Sequence, residues 1–134
     1  MTFRVLVVDD EPAIRHALGR LFRREGWEAV TAATAGEAIA ALELSPVAAI
    51  VLDYHLPGMS GGELGAEVAA RWPDLARRIM FVSGDPQLTP DTLPSACRGA
   101  RLMAKPFDLL EMVAAVRALL PASSPGPAAG GPPA

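Results

Sequence analysis

The sequence has one cysteine, Cys97, so no disulfide can form within the chain. That suits a reducing compartment, and a lone cysteine of this kind is expected to behave as a small buried apolar side chain. Aromatic residues make up only 5% of the chain, and neither they nor the basic residues line up as a stripe or stacking platform. With a formal net charge of −3, nothing suggests direct binding of nucleic acid. Long apolar runs are also missing. The longest, such as Pro46 to Leu52, fall far short of the ~20 residues that a spanning helix needs. The apolar run Val5 to Val8 meets Asp9, Asp10 and Glu11 at once, unlike a secretory leader. A cytoplasmic chain without membrane attachment is expected.

What is present is an ordinary globular composition, 51% hydrophobic and 20% charged over 134 residues. This is enough for one domain with its own core. Short apolar runs alternate with amphipathic stretches. Phe3 to Val8 reads as a strand buried on both faces. Glu11 to Glu25 reads as a helix, with Pro12 in its first turn and Gly26 at its end. Ile14, Ala17, Leu18, Leu21 and Phe22 recur on the face that should meet a sheet. Trp27 to Ala32 is a weaker strand, and Thr34 with Glu37 predicts a capping box opening a helix to about Leu44. Val47 to Leu52 is a third strand running into Asp53. Pro57, Gly58 and Gly61 mark a loop, and Ser60 with Glu63 predicts a second capping box on a helix to about Trp72. Ile79 to Val82 and Arg101 to Ala104 complete the strands, and Asp108 caps a last helix to about Leu120. Residues 121–134, PASSPGPAAGGPPA, are too rich in proline, glycine and alanine for a regular element and are expected to be a disordered tail behind a domain of residues 1–120.

Alternating strands and helices imply an α/β fold, a parallel sheet with helices on both faces. Ligands of such sheets bind beyond the carboxyl ends of the strands. At that end the first strand carries Asp9 and Asp10, the third Asp53, the fourth Ser83 and the fifth Lys105. Chance can place one polar residue there after an apolar run, but rarely four. Three carboxylates brought together repel by about 4 kcal/mol per pair at ~4 Å and an effective dielectric of ~20. They stay ionised only beside a cation. An all-oxygen donor set without a His–Cys cluster selects a hard one, foremost Mg²⁺. Lys105 offers a mobile point charge and Ser83 a hydroxyl. These groups suit an incoming phosphoryl group, with one carboxylate as nucleophile.

VLVVDDEP at Val5 to Pro12, LDYHLPGMSG at Leu52 to Gly61, the pair Ser83–Gly84 and AKPF at Ala104 to Phe107 occur in order, each at a strand end. In this the sequence resembles the receiver domains of two-component response regulators, over roughly residues 3 to 120. The resemblance implies a doubly wound five-stranded sheet in the flavodoxin-like order 2-1-3-4-5. It implies that Asp53 is the phosphoacceptor, that Asp9 and Asp10 are the acidic pair holding Mg²⁺ with Asp53, and that His55 gives the metal its backbone carbonyl. It further implies that Ser83 is the Ser/Thr switch residue, that Lys105 contacts the phosphoryl oxygens and that the Lys105–Pro106 bond is cis. The side chains of His16 and His55 are expected in water, and Trp27 and Trp72 are expected to pack. The sequence departs from the family at two places. Leu102 stands three residues before the lysine, where most members carry Tyr or Phe. Pro90 and Pro94 lie where a fourth helix belongs, so that helix should be short or irregular.

The resemblance implies a signalling switch rather than a turnover enzyme. Its phosphoryl donor would be a sensor histidine kinase or a histidine phosphotransfer protein, its output an unidentified downstream protein, and its state a monomer or a phosphorylation-dependent homodimer. An aspartate-nucleophile phosphohydrolase is a rival, but such enzymes space their two acids by one residue after the first strand, whereas Asp9 and Asp10 are adjacent. A degenerate receiver serving only as a protein-binding module is a third reading, opposed by the presence of all three acids, Ser83 and Lys105.

Overall fold

The structure is a computed structural model that describes residues 2–97 and 99–121. Five parallel strands form one sheet in the order β2-β1-β3-β4-β5. They are β1 (Arg4–Val8), β2 (Glu28–Ala32), β3 (Ala49–Asp53), β4 (Ile79–Ser83) and β5 (Arg101–Ala104). Four α-helices connect and cover them: α1 (Pro12–Arg24), α2 (Ala35–Leu44), α3 (Gly61–Arg71) and α4 (Leu109–Leu119). Single 3₁₀ turns span Pro73–Leu75, Pro90–Thr92 and Ser95–Cys97. The doubly wound order expected from the resemblance is the one found. Residues 122–134, most of the expected tail, lie outside the described residues.

The period-two alternation of the strands sorts their side chains onto two faces. Leu6, Val8, Ile50, Leu52 and Phe81 point to one side, where Ala38 and Leu42 of α2 and Leu64 and Val68 of α3 pack on them. Val5, Val7, Val51, Met80 and Val82 point to the other, against Leu18 and Phe22 of α1 and Met112, Val113 and Val116 of α4. All residues of β3 and β4 are buried, as the central position of a parallel sheet requires. Each fully buried Leu, Val or Phe contributes about 1.5–3 kcal/mol. The carboxyl ends of these strands therefore sit on the most rigid part of the molecule. Trp27 joins the second core beside Phe22, and Trp72 borders the first. Cys97 is buried, and burial raises its thiol pKa.

The helix starts follow local chemistry. Ser60 accepts from the backbone N–H of Glu63 while Glu63 accepts from that of Ser60, both at 3.0 Å, so the expected capping box is complete. At α2 only half of one forms. Thr34 accepts from Glu37 N–H at 3.1 Å, but the Glu37 carboxylate takes the N–H of Ala33, one residue earlier than the motif predicts. Asp108 caps α4 through the N–H groups of Leu110 and Glu111. Between β4 and β5 the two prolines leave only the turns Pro90–Thr92 and Ser95–Cys97 in place of a helix.

One close approach fixes the loop beyond β3. Gly61 donates its N–H to the Tyr54 carbonyl at 2.6 Å. A Cβ at Gly61 would stand 2.5 Å from Tyr54 Cα and collide with the Asp53 carbonyl. Only glycine lets α3 start this close to the end of β3. Gly61→Ala should therefore lose about 1–3 kcal/mol, as overpacking against backbone does. Gly36→Ala, in the open first turn of α2, should gain about 0.5–1 kcal/mol from helix propensity. Urea denaturation monitored by circular dichroism measures both, and equal effects would contradict the close-approach account.

Candidate functional site

Each strand of the sheet's middle delivers its polar residue through the ladder. Asp9 extends the β1–β2 pairing by donating its N–H to the Ala32 carbonyl at 3.1 Å. Asp53 is the last residue of β3 and pairs in register with Val82. Ser83 ends β4 in register with Ala104, and its carbonyl accepts the N–H of Lys105 at 2.8 Å. The Lys105–Pro106 peptide is cis, as expected.

Ligand oxygens of Asp9, Asp10 and Asp53 all lie within 4.8 Å of one another. Asp9 and Asp53 are buried and Asp10 is exposed. The Lys105 ammonium stands between the two buried acids, 3.2 Å from Asp9 Oδ2 and 3.2 Å from Asp53 Oδ2. The other oxygens are held by backbone: Asp9 Oδ1 accepts from Glu11 N–H at 2.8 Å and Asp53 Oδ1 from His55 N–H at 3.0 Å. Burial pushes the Asp9 pKa up, with help from the Asp53 charge, against the lowering action of the Glu11 N–H and Lys105. Burial also works against the charged form of Lys105, but the Asp53 and Asp9 carboxylates together hold its pKa above the ordinary lysine value.

The structure adds groups for which the sequence reading had no role here. Glu11 reaches Lys105 Nζ at 3.3 Å and makes a fourth carboxylate. Arg15, one turn further along α1, donates to the Asp9 carbonyl at 2.7 Å. The helical spacing of Glu11 and Arg15 after the acidic pair carried that signal. His16 is exposed, as expected. The His55 side chain is exposed too, but it is not merely solvated, because its Nε2 lies 3.1 Å from Ser83 Oγ. Ser83 Oγ also accepts the N–H of Asp85 at 3.0 Å. Leu102 pairs in register with Phe81 and packs, half-buried, against the core beneath α2 and α3.

The donor set fits a hard divalent cation. It consists of carboxylate oxygens, and four acids face one ammonium and one guanidinium, the latter spent on a backbone carbonyl. The buried end of this cluster carries charge that the fold alone leaves only partly compensated. Because the folded-state pKa of Asp9 is raised, its ionisation opposes folding fully above that pKa and not at all well below its ordinary value of 3.8. Without divalent cations, Asp9→Asn should therefore raise the melting temperature near neutral pH, and the gain should shrink as pH falls toward 3.8. Thermal melts in a chelator across this range measure the difference, and a neutral-pH loss would contradict it.

The comparisons agree with this geometry. Residues 5–117 match the model of the response regulator receiver domain. The transcriptional regulatory protein TrcR of Mycobacterium tuberculosis is 36% identical over 122 residues, which are 90% of this chain and 46% of TrcR. The sensory transduction protein RegX3 of Mycolicibacterium smegmatis is 33% identical over 117 residues, 87% of this chain and 50% of that protein. The chain thus spans about half the length of these curated relatives. Among solved structures, a CheY-like receiver domain protein from Methanospirillum hungatei superposes with a TM-score of 0.80 at 26% identity, covering 88% of this chain and 93% of that one. The response regulator TrrA of Thermotoga maritima, solved in complex with Mg²⁺ and BeF, superposes with a TM-score of 0.77 at 30% identity, covering 90% of this chain and all of TrrA. With the sheet order, the acid cluster and these likenesses together, the chain belongs to the response regulator receiver domains of two-component systems.

Proposed function

We propose that Asp53 accepts a phosphoryl group from a sensor histidine kinase or a histidine phosphotransfer protein, and that the altered surface then signals to a downstream protein. The observation that carries this reading is the pairing of the buried Asp53 with Lys105 at 3.2 Å inside the three-acid cluster. In the transfer, an Asp53 oxygen forms a bond to phosphorus as the donor's nitrogen–phosphorus bond breaks. Lys105 lies beside Asp53 Oδ2, where it can neutralise the incoming phosphoryl oxygens, and His55 N–H holds Oδ1 in place. Ser83 is the hydroxyl that moves to the phosphoryl group. The carboxylates of Asp9, Asp10 and Asp53 and the backbone carbonyl of His55 would hold Mg²⁺, which supplies further charge neutralisation. TrrA, similar over its whole length, is the precedent for that metal with a phosphoryl mimic.

The chain acts as a cytoplasmic switch, as a monomer or a phosphorylation-dependent homodimer, and turns over no external substrate. Among the described residues no helix is long and apolar enough to cross a membrane. Relatives such as TrcR are named transcriptional regulatory proteins and are about twice this length, and this chain itself is read as making no direct contact with nucleic acid. Residues 1–120 are the receiver.

Two outcomes test this. With Mg²⁺ and acetyl phosphate the chain should gain one acid-labile phosphoryl group by intact mass, and Asp53→Asn should abolish it. Persistence in that variant would move the acceptor elsewhere. Transmission should also differ from that of members with an aromatic at the Leu102 position. A phosphoryl group acts through contacts that differ between two states. Leu102 has no ring to rotate, and the turns between β4 and β5 hold few backbone bonds. On binding beryllofluoride, amide shifts should be large from Ser83 to Cys97 and methyl shifts small at Leu102, and the reverse order would refute this route.

A further inference from the structure

Ser83 Oγ is engaged twice before any phosphoryl group arrives. The Asp85 N–H donates to it at 3.0 Å, which fills one lone pair. His55 Nε2 lies 3.1 Å away on the opposite loop. With the oxygen accepting once from Asp85, the hydroxyl keeps its proton and a second lone pair, so it pairs with Nε2 whichever ring nitrogen carries the imidazole proton. The imidazole does not reach Ser83 by accident of a mobile rim. Its backbone N–H is tied to Asp53 Oδ1 at 3.0 Å. The Tyr54 ring meets the imidazole edge-on, with centroids 5.5 Å apart and planes at 71°. Tyr54 is itself set edge-on against the buried Phe81 of β4, at 5.8 Å and 64°. The residue two beyond the acceptor is thus built to hold the hydroxyl that the acceptor's phosphoryl group needs.

We propose that His55 is a positioning residue whose imidazole binds the Ser83 hydroxyl in the unphosphorylated chain and competes with the phosphoryl oxygens for it. This rests on Asp53 as acceptor. The Ser83–His55 bond favours the resting state, and it must open before Ser83 can turn toward Asp53. A ligand shifts a two-state element only by its differential affinity. A bond present in the resting state alone therefore weakens the apparent binding of any phosphoryl mimic, and its removal strengthens it. Because the bond joins the loops after β3 and β4, its opening is also the event that frees the Gly84–Gln87 loop to move.

The test is a double-mutant cycle in the full chain with Mg²⁺ and beryllofluoride, read by titration. His55→Ala should bind the mimic about fivefold more tightly than the unaltered chain, the factor that one ordinary hydrogen bond contributes. In a Ser83→Ala background the same substitution should change nothing. Equal effects in both backgrounds, or weaker binding by His55→Ala, would overturn the proposal, because the imidazole would then act without Ser83 or would itself hold the mimic. A second readout needs no mimic: the ring-nitrogen chemical shifts of His55 should report a hydrogen-bonded Nε2 that loses its bond in Ser83→Ala. An unchanged Nε2 signal there overturns the proposal as well. If beryllofluoride bound the unaltered chain and Asp53→Asn alike, the acceptor reading itself would fall and this inference with it. If it needed Asp53 but ignored His55, this inference alone would fall.

Discussion

Crowded negative charge at one end of a rigid sheet is the constraint on which the rest of the molecule depends. Asp9 and Asp53 are buried at the ends of adjacent strands with Asp10 and Glu11 close by, and among the described residues only Lys105 bridges the buried pair. An arrangement of this kind is unfavourable by itself. It persists because β3 and β4, buried along their whole length, give the strand ends nowhere else to go. The unfavourable electrostatics are thus stored where a hard cation can relieve them. Core packing on the two faces of the sheet sustains the site from a distance.

Much of this was legible in the sequence because the signals were local. Four of the five apolar runs that became strands, all but β2, led into a polar residue that the site uses, and Pro90 and Pro94 foretold a short or irregular helix where two 3₁₀ turns stand. The strand starts were less well defined. Val47 and Ala48 continue the apolar run of β3 but lie outside the ladder, which begins at Ala49, because composition does not record where pairing starts. The capping signal of Thr34 and Glu37 was half right, since a flexible carboxylate can choose between neighbouring N–H groups and took the one at Ala33.

What the sequence could not carry was contact between loops. His55 and Ser83 are 28 positions apart and on different strands' extensions. No periodicity links them. Their meeting depends on the parallel register that sets Asp53 beside Val82, and on the edge-on packing of Tyr54 that turns the imidazole. Glu11 is the opposite case. Its place beside Lys105 follows from adjacency to the acidic pair, but its ordinary use at a helix start hid the role.

The outer strand β5 has a consequence for solubility. It is only four residues long, its pattern is exposed at both ends, and Arg101 opens it while Pro106, which has no N–H to offer, follows soon after. An edge this short, charged at one end and interrupted beyond the other, gives a neighbouring chain little backbone to pair with. The same brevity that makes β5 a modest contributor to the core guards the sheet against growing by addition of strands from other copies.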